Sequence, residues 1–283
     1  MPFFAGHHRL TPTSSLSATP KIRYASWSLA SSDHSRSCAR AWPVIRPRAK
    51  TAARERCMVR EEPGNERPVY RLFWDRGSAN MAPHAVLREI GCRFELIRVD
   101  ISKGENRAPA YLALNPNARV PTLVHGGRVI YESAAILMYL CEAHPDAGLM
   151  PLPGDPDRGA FLQWLFWMTN TLQEDLQHWW HADNYLDGEA CRHEMKIVAE
   201  RRLERMFSQL DSHLAAGGPY MLGNRFSALD VFLVMLCRWT RAMALPATSY
   251  ANLNRLIGLV TARPAWAAMM LAEGIDWNGP LAS

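Results

Sequence analysis

The sequence predicts an α/β unit followed by an all-helical one. Three observations carry this expectation. β-Branched and aromatic runs alternate with 3.6-period segments up to about residue 143, the proline-rich stretch LMPLPGDPD (149–157) breaks the pattern, and every periodic segment beyond it is helical.

The elements follow in order. VYRLFW (69–74) is a β-branched and aromatic run, hence a strand, and DRGSAN turns the chain. MAPHAVLREIG reads as a helix with Pro83 in its first turn, an apolar face of Val86, Leu87 and Ile90, and Gly91 as its C-terminal stop. RFELIRVD (93–100) is a second strand, and APAYLALN a short helix ended by Asn115-Pro116. TLVH and RVIY flank Gly126-Gly127, a pair able to take the positive φ angles of a type I′ hairpin. SAAILMYLCEAHP closes the unit as a helix with Ser133 expected at its N-cap. The order is β-α-β-α-β-β-α. Beyond the prolines, Phe161, Leu165, Met168, Leu172, Leu176 and Trp179 recur at helical spacing as a core face. A charged amphipathic helix covers about 191–214, Ser227 and Asp230 open the next in capping-box-like spacing, and two helices follow near 250–262 and 264–273.

Among 283 residues, 48% are hydrophobic and 21% charged, which suits a globular chain with a real core. No apolar run is long enough to span a membrane. The net charge of +5 is unevenly placed. Residues 1–57 hold ten Lys/Arg against two Asp/Glu, whereas the rest holds 22 against 25, about −3, so nucleic-acid binding is not indicated. That first segment is Ser- and Arg-rich without periodicity; it is expected to be a disordered basic extension, similar to a transit leader, or translated sequence upstream of a start at Met58. The remainder divides into 58–148, a linker at 149–156, and 157–283. Six cysteines show no metal spacing, and a reducing, cytoplasmic setting is expected.

The stretch LNPNARVPTLVHGGRVIYESAAILMYL (114–140), with SALD (227–230), resembles the glutathione S-transferases over about residues 69–275. The resemblance implies a thioredoxin-like first domain, an all-helical second domain, glutathione as co-substrate without a metal, and a homodimer. It further implies that Pro121 is cis and leaves Val120 free of the sheet, to pair with the peptide-like ligand as an added strand. Glu132 and Ser133, at a helix N-terminus, would take the γ-glutamyl carboxylate and ammonium, and Arg119 the glycyl carboxylate.

The chemistry requires a thiolate. The family places the activating group in the loop after the first strand, here DRGSAN. APHAVLRE (82–89) is similar to the bacterial beta-type members, whose active-site cysteine aligns with Ala79, so cysteine-based mixed-disulfide chemistry has no thiol here. Ser78 is the hydroxyl candidate, Asn80 a second donor, and a backbone N–H the alternative. Trp167, Thr171, Glu174 and His178 form a second helical stripe, of which Trp167 and Thr171 are the candidates to hold a hydrophobic electrophile. His178 and His181 are spaced as two metal ligands, but no third is evident. The function implied is conjugation of glutathione to such an electrophile. The alternatives are a glutathione-binding scaffold without transfer activity and a glutathione-dependent disulfide or peroxide reductase.

Overall fold

The computed structural model describes residues 69–279. The expectations for residues 1–57 therefore lie outside the described residues, as do Cys38 and Cys57.

Four strands, β1 (Tyr70–Trp74), β2 (Phe94–Arg98), β3 (Thr122–His125) and β4 (Arg128–Tyr131), form one sheet in the order β2-β1-β3-β4. β1 runs parallel to β2, as a helical crossover permits, and antiparallel to β3, which forms a hairpin with β4. Gly126 and Gly127 take φ of 55° and 77°, the left-handed values that the hairpin turn requires. Helices α1 (Met81–Ile90), α2 (Pro109–Leu112) and α3 (Ser133–Ala143) complete the unit, a thioredoxin-like arrangement. The remaining α-helices are α4 (Arg158–Trp167), α5 (Gln173–Trp180), α6 (Glu189–Gly217), α7 (Ala228–Trp239), α8 (Ala251–Thr261) and α9 (Pro264–Glu273).

One continuous apolar core joins the two parts: Leu72, Leu87 and Leu137 belong to the same buried cluster as Phe161, Leu203 and Phe232. α7 is its axis, with every residue from Ala228 to Trp239 buried. Its start is sealed as expected. The Ser227 side chain accepts from the Leu229 N–H at 3.3 Å, and the Asp230 carboxylate accepts from the Ser227 and Met221 N–H groups at 2.8 Å each. Cys141 and Cys237 are buried thiols, and burial raises both above their ordinary range.

Two expectations are corrected. Ser133 is the first helical residue of α3 and not its cap; the cap position is Glu132, at φ 72° with no capping side chain. The predicted continuous helix after the linker is broken by a π segment, Met168–Leu172, between α4 and α5. The predicted core face nevertheless holds across the break, with Phe161, Leu165, Met168, Leu172 and Leu176 all buried.

Candidate functional site

A cleft of about 610 Å³ opens between the sheet's C-terminal edge loops and α5. The loop after β1, the segment before β3 and the start of α3 supply one wall, and α5 with the turn after it supplies the other.

The loop Asp75–Asn80 is tied down from several sides. Gly77 adopts φ +61° and sits so close to α7 that a Cβ there would stand 3.1 Å from Arg238 Nη1, which is why no side chain occupies this position. Its N–H donates to Glu273 Oε2 at 3.2 Å, and its carbonyl accepts from Trp239 Nε1 at 3.2 Å. Glu273 Oε1 also accepts from Asn80 Nδ2 at 2.8 Å and contacts His84 Nδ1 at 2.9 Å, all three side chains being buried. A carboxylate from the last helix thus holds the loop of the first strand. Arg238, fully buried, donates from Nε and Nη2 to the Asp276 carbonyl, and burial lowers its pKa to about 10.

Ser78 lies on this loop and lines the cleft, half-buried. Its Oγ makes only a 3.5 Å contact with the Arg76 carbonyl, at the limit of a hydrogen bond, and so remains available to a ligand. Asn80 does not line the cleft. It is buried, its Oδ1 accepts the Asp75 N–H at 3.1 Å and its amide nitrogen donates to Glu273, so it braces the loop.

Val120 and Pro121 line the cleft beside the loop, joined by a cis peptide bond. The ladder to β1 and β4 begins only at Thr122, which leaves Val120 outside sheet pairing. The approach is held from below: Tyr111 and Asn115 donate to the Arg119 carbonyl at 2.7 and 2.8 Å, and Asn106 to the Ala118 carbonyl at 2.7 Å. Arg119 itself is exposed at the rim of the cleft. Glu132 and Ser133 line it at the start of α3, whose first N–H groups have no helical partner. Ser133 Oγ donates to the Ala79 carbonyl at 2.9 Å, binding this helix start to the Ser78 loop. The residues predicted for glutathione thus come together with Ser78 on one wall.

The residues predicted for the electrophile do not. Trp167 packs edge-on against Trp164, with centroids 5.3 Å apart, and neither it nor Thr171 lines the cleft. The α5 wall is formed instead by Gln173, Gln177, Trp180 and His181, with Asn184 beyond. Burial lowers the pKa of His181, which favours the neutral ring, with Asp183 opposing. His178 contacts Glu174 and Asp175 at 3.4 Å and packs against Tyr185, and the described residues contain no cluster of three or more groups able to hold a metal. Reading the sequence alone missed Glu273, His84 and Trp239, because nothing local to α1, α7 or α9 marks partners 162 to 196 residues away.

A thioredoxin-like domain followed by an all-helical domain defines a class of two-domain proteins, and the comparisons agree. The family model for the glutathione S-transferase N-terminal domain matches residues 68–142, and that for the C-terminal domain matches residues 173–268. Glutathione S-transferase GstA of Escherichia coli O157:H7 is 26% identical over 208 residues, covering 72% of this chain and 99% of its own. A glutathione transferase from Methylococcus capsulatus superposes with a TM-score of 0.66 at 32% identity, covering 73% of this chain and 99% of its own. A sphingomonad glutathione S-transferase in complex with glutathione superposes with a TM-score of 0.64 at 28% identity, covering 73% and 100%. The chain belongs to the glutathione S-transferase family.

Proposed function

We propose that the protein is a glutathione transferase in which the wall of Arg119, Val120, Glu132 and Ser133 holds glutathione and Ser78 activates its thiol. The observation that carries this reading is the convergence of a half-buried serine with no strong partner, a residue outside the sheet ladder and an open helix N-terminus on one side of one cleft. The peptide's backbone would pair with Val120 as an added strand. The γ-glutamyl carboxylate would meet the free N–H groups at the start of α3, and Arg119 would face the glycyl carboxylate.

The energetics suffice. A thiol with pKa about 8.5 is only a few per cent ionised at neutral pH. One hydrogen bond to a charged group contributes about 1.5–3 kcal/mol, which lowers that pKa by about one to two units. The thiolate then attacks an electrophilic carbon: the C–S bond forms, the leaving group departs with its electron pair, and the thiol proton has gone to solvent. Trp180 and Trp239 offer the electrophile its flat apolar surfaces.

The reading extends to a homodimer, supported by the exposed apolar side chains Val129, Tyr131 and Phe166, and to a reducing, cytoplasmic setting, supported by the absence of disulfides among the described cysteines.

The test is calorimetric binding of glutathione together with conjugation rates across pH. The rate is expected to rise with pH through the bound thiol's pKa, and Ser78→Ala to move that midpoint up by about one to two units. Failure of the wild type to bind glutathione would overturn the reading; an unmoved midpoint in Ser78→Ala would transfer activation to a backbone N–H.

A further inference from the structure

The side-chain amides around the cleft fall into two groups. Asn106 and Asn115 are engaged within the protein, donating to the Ala118 and Arg119 carbonyls, while Asn117 beside them is exposed and makes no side-chain hydrogen bond among the described residues. On the α5 wall none is engaged. Gln173 and Gln177, four residues apart on one face and both half-buried, line the cleft with no hydrogen-bond partner for either side chain among the described residues. Asn184 at the rim is likewise unengaged. Between them lies Trp180, whose one polar atom is turned inward, Nε1 donating to the Trp239 carbonyl at 2.9 Å, so that the ring presents carbon to the cleft. The lowered pKa of His181 leaves a neutral donor-acceptor ring beside them.

An apolar co-substrate pressed onto this wall would strip water from both glutamine amides and return nothing. A planar ring bearing its own polar substituent would lie on Trp180 and replace that water with hydrogen bonds. Resting on the reading that this cleft takes glutathione and an electrophile, we infer that the electrophile is a polar arene, one that carries a carboxamide, carboxylate or comparable oxygen-bearing group, selected by Gln173 and Gln177. This replaces the hydrophobic co-substrate expected from the sequence.

The experiment compares two conjugates, S-(4-carbamoylbenzyl)glutathione and S-(4-methylbenzyl)glutathione, which differ only in the para group. Binding is measured by calorimetry, with free glutathione as reference. Formation rates from the two benzyl halides are each divided by the uncatalysed rate with glutathione; in each case carbon–halogen cleavage releases halide as the C–S bond forms. The wild type is expected to bind the carbamoyl conjugate about tenfold or more tightly than the methyl one. Gln173→Leu with Gln177→Leu is expected to abolish or reverse that order. Equal or reversed preference in the wild type, with glutathione itself bound, overturns the inference and leaves the transferase reading standing. If glutathione and both conjugates fail to bind, both are overturned. The wild-type comparison decides on its own, so the result does not depend on the double variant folding.

Discussion

The two walls of the cleft are built by different means. The glutathione wall comes from loops and a helix start in the α/β part, where a turn, a cis X–Pro bond and an N-terminus fix backbone groups at set spacing along the chain. The α5 wall comes from one face of a helix, where identity depends on phase. Trp167 and Thr171, the residues expected there, do not line the cleft, whereas Gln173 and Gln177 do. Backbone features stay tied to their neighbours in sequence, while the lining of a helical wall depends on which face the fold turns inward.

The largest expected effect tests whether the walls are mechanically separate. Glu273 belongs to the helical part yet holds Gly77, Asn80 and His84 of the α/β part. Glu273→Ala leaves those buried groups unpaired and is expected to cost about 3–5 kcal/mol in urea unfolding, with weaker glutathione binding besides. Glu273→Gln, which keeps an acceptor, should recover part of the loss. An unchanged unfolding midpoint in the alanine variant would mean that the Ser78 loop holds itself and the two parts are independent.

Gly77→Ala is expected to cost less, about 1–3 kcal/mol, because φ of +61° disfavours a side chain and the added methyl would stand 3.1 Å from Arg238 Nη1. Its signature is a Ser78-dependent one: the pH midpoint of conjugation should shift along with stability. A stability loss without that shift would detach the loop's backbone from thiol activation.

The capping box at Ser227 and Asp230 sharpens the comparison from outside the cleft. Ser227→Ala should lower stability by about 1 kcal/mol and leave glutathione affinity unchanged. Burial raises the Asp230 carboxyl to about 7. A folded pKa above the unfolded value near 4 means that the folded state binds the proton more tightly. This contribution to stability is then full below about pH 4 and lost as the pH rises through about 7. Asp230→Ala should flatten that decline between pH 4 and 7; an identical slope in the variant would assign it to other groups.

The same contrast explains what was legible. Gly126-Gly127, Ser227 with Asp230, and the segment around Val120 and Pro121 each carry their geometry in neighbouring residues, so the hairpin, the cap and a valine left outside the sheet ladder could be read directly. Asn80 could not, because its role is set by Glu273, 193 residues away. Ser133 looked like a cap because serine before an apolar helical run commonly is one, but its hydroxyl serves the Ala79 carbonyl in the adjoining loop. Gln173 and Gln177 carry no signal in the sequence that distinguishes them from the other polar residues of an amphipathic helix.

The smallest expected effect probes which helical face the ligand meets. The cleft is lined by Gln173, Gln177 and Trp180 and not by Trp167 or Thr171. Thr171→Val should therefore change binding of glutathione and of both benzyl conjugates by less than about twofold, as expected for a substitution away from the ligand. Gln177→Leu, six residues on, should weaken the carbamoyl conjugate alone. If Thr171→Val instead weakens that conjugate as much as Gln177→Leu does, the ligand meets the face of Thr171, and the helical wall would be one that binding rearranges.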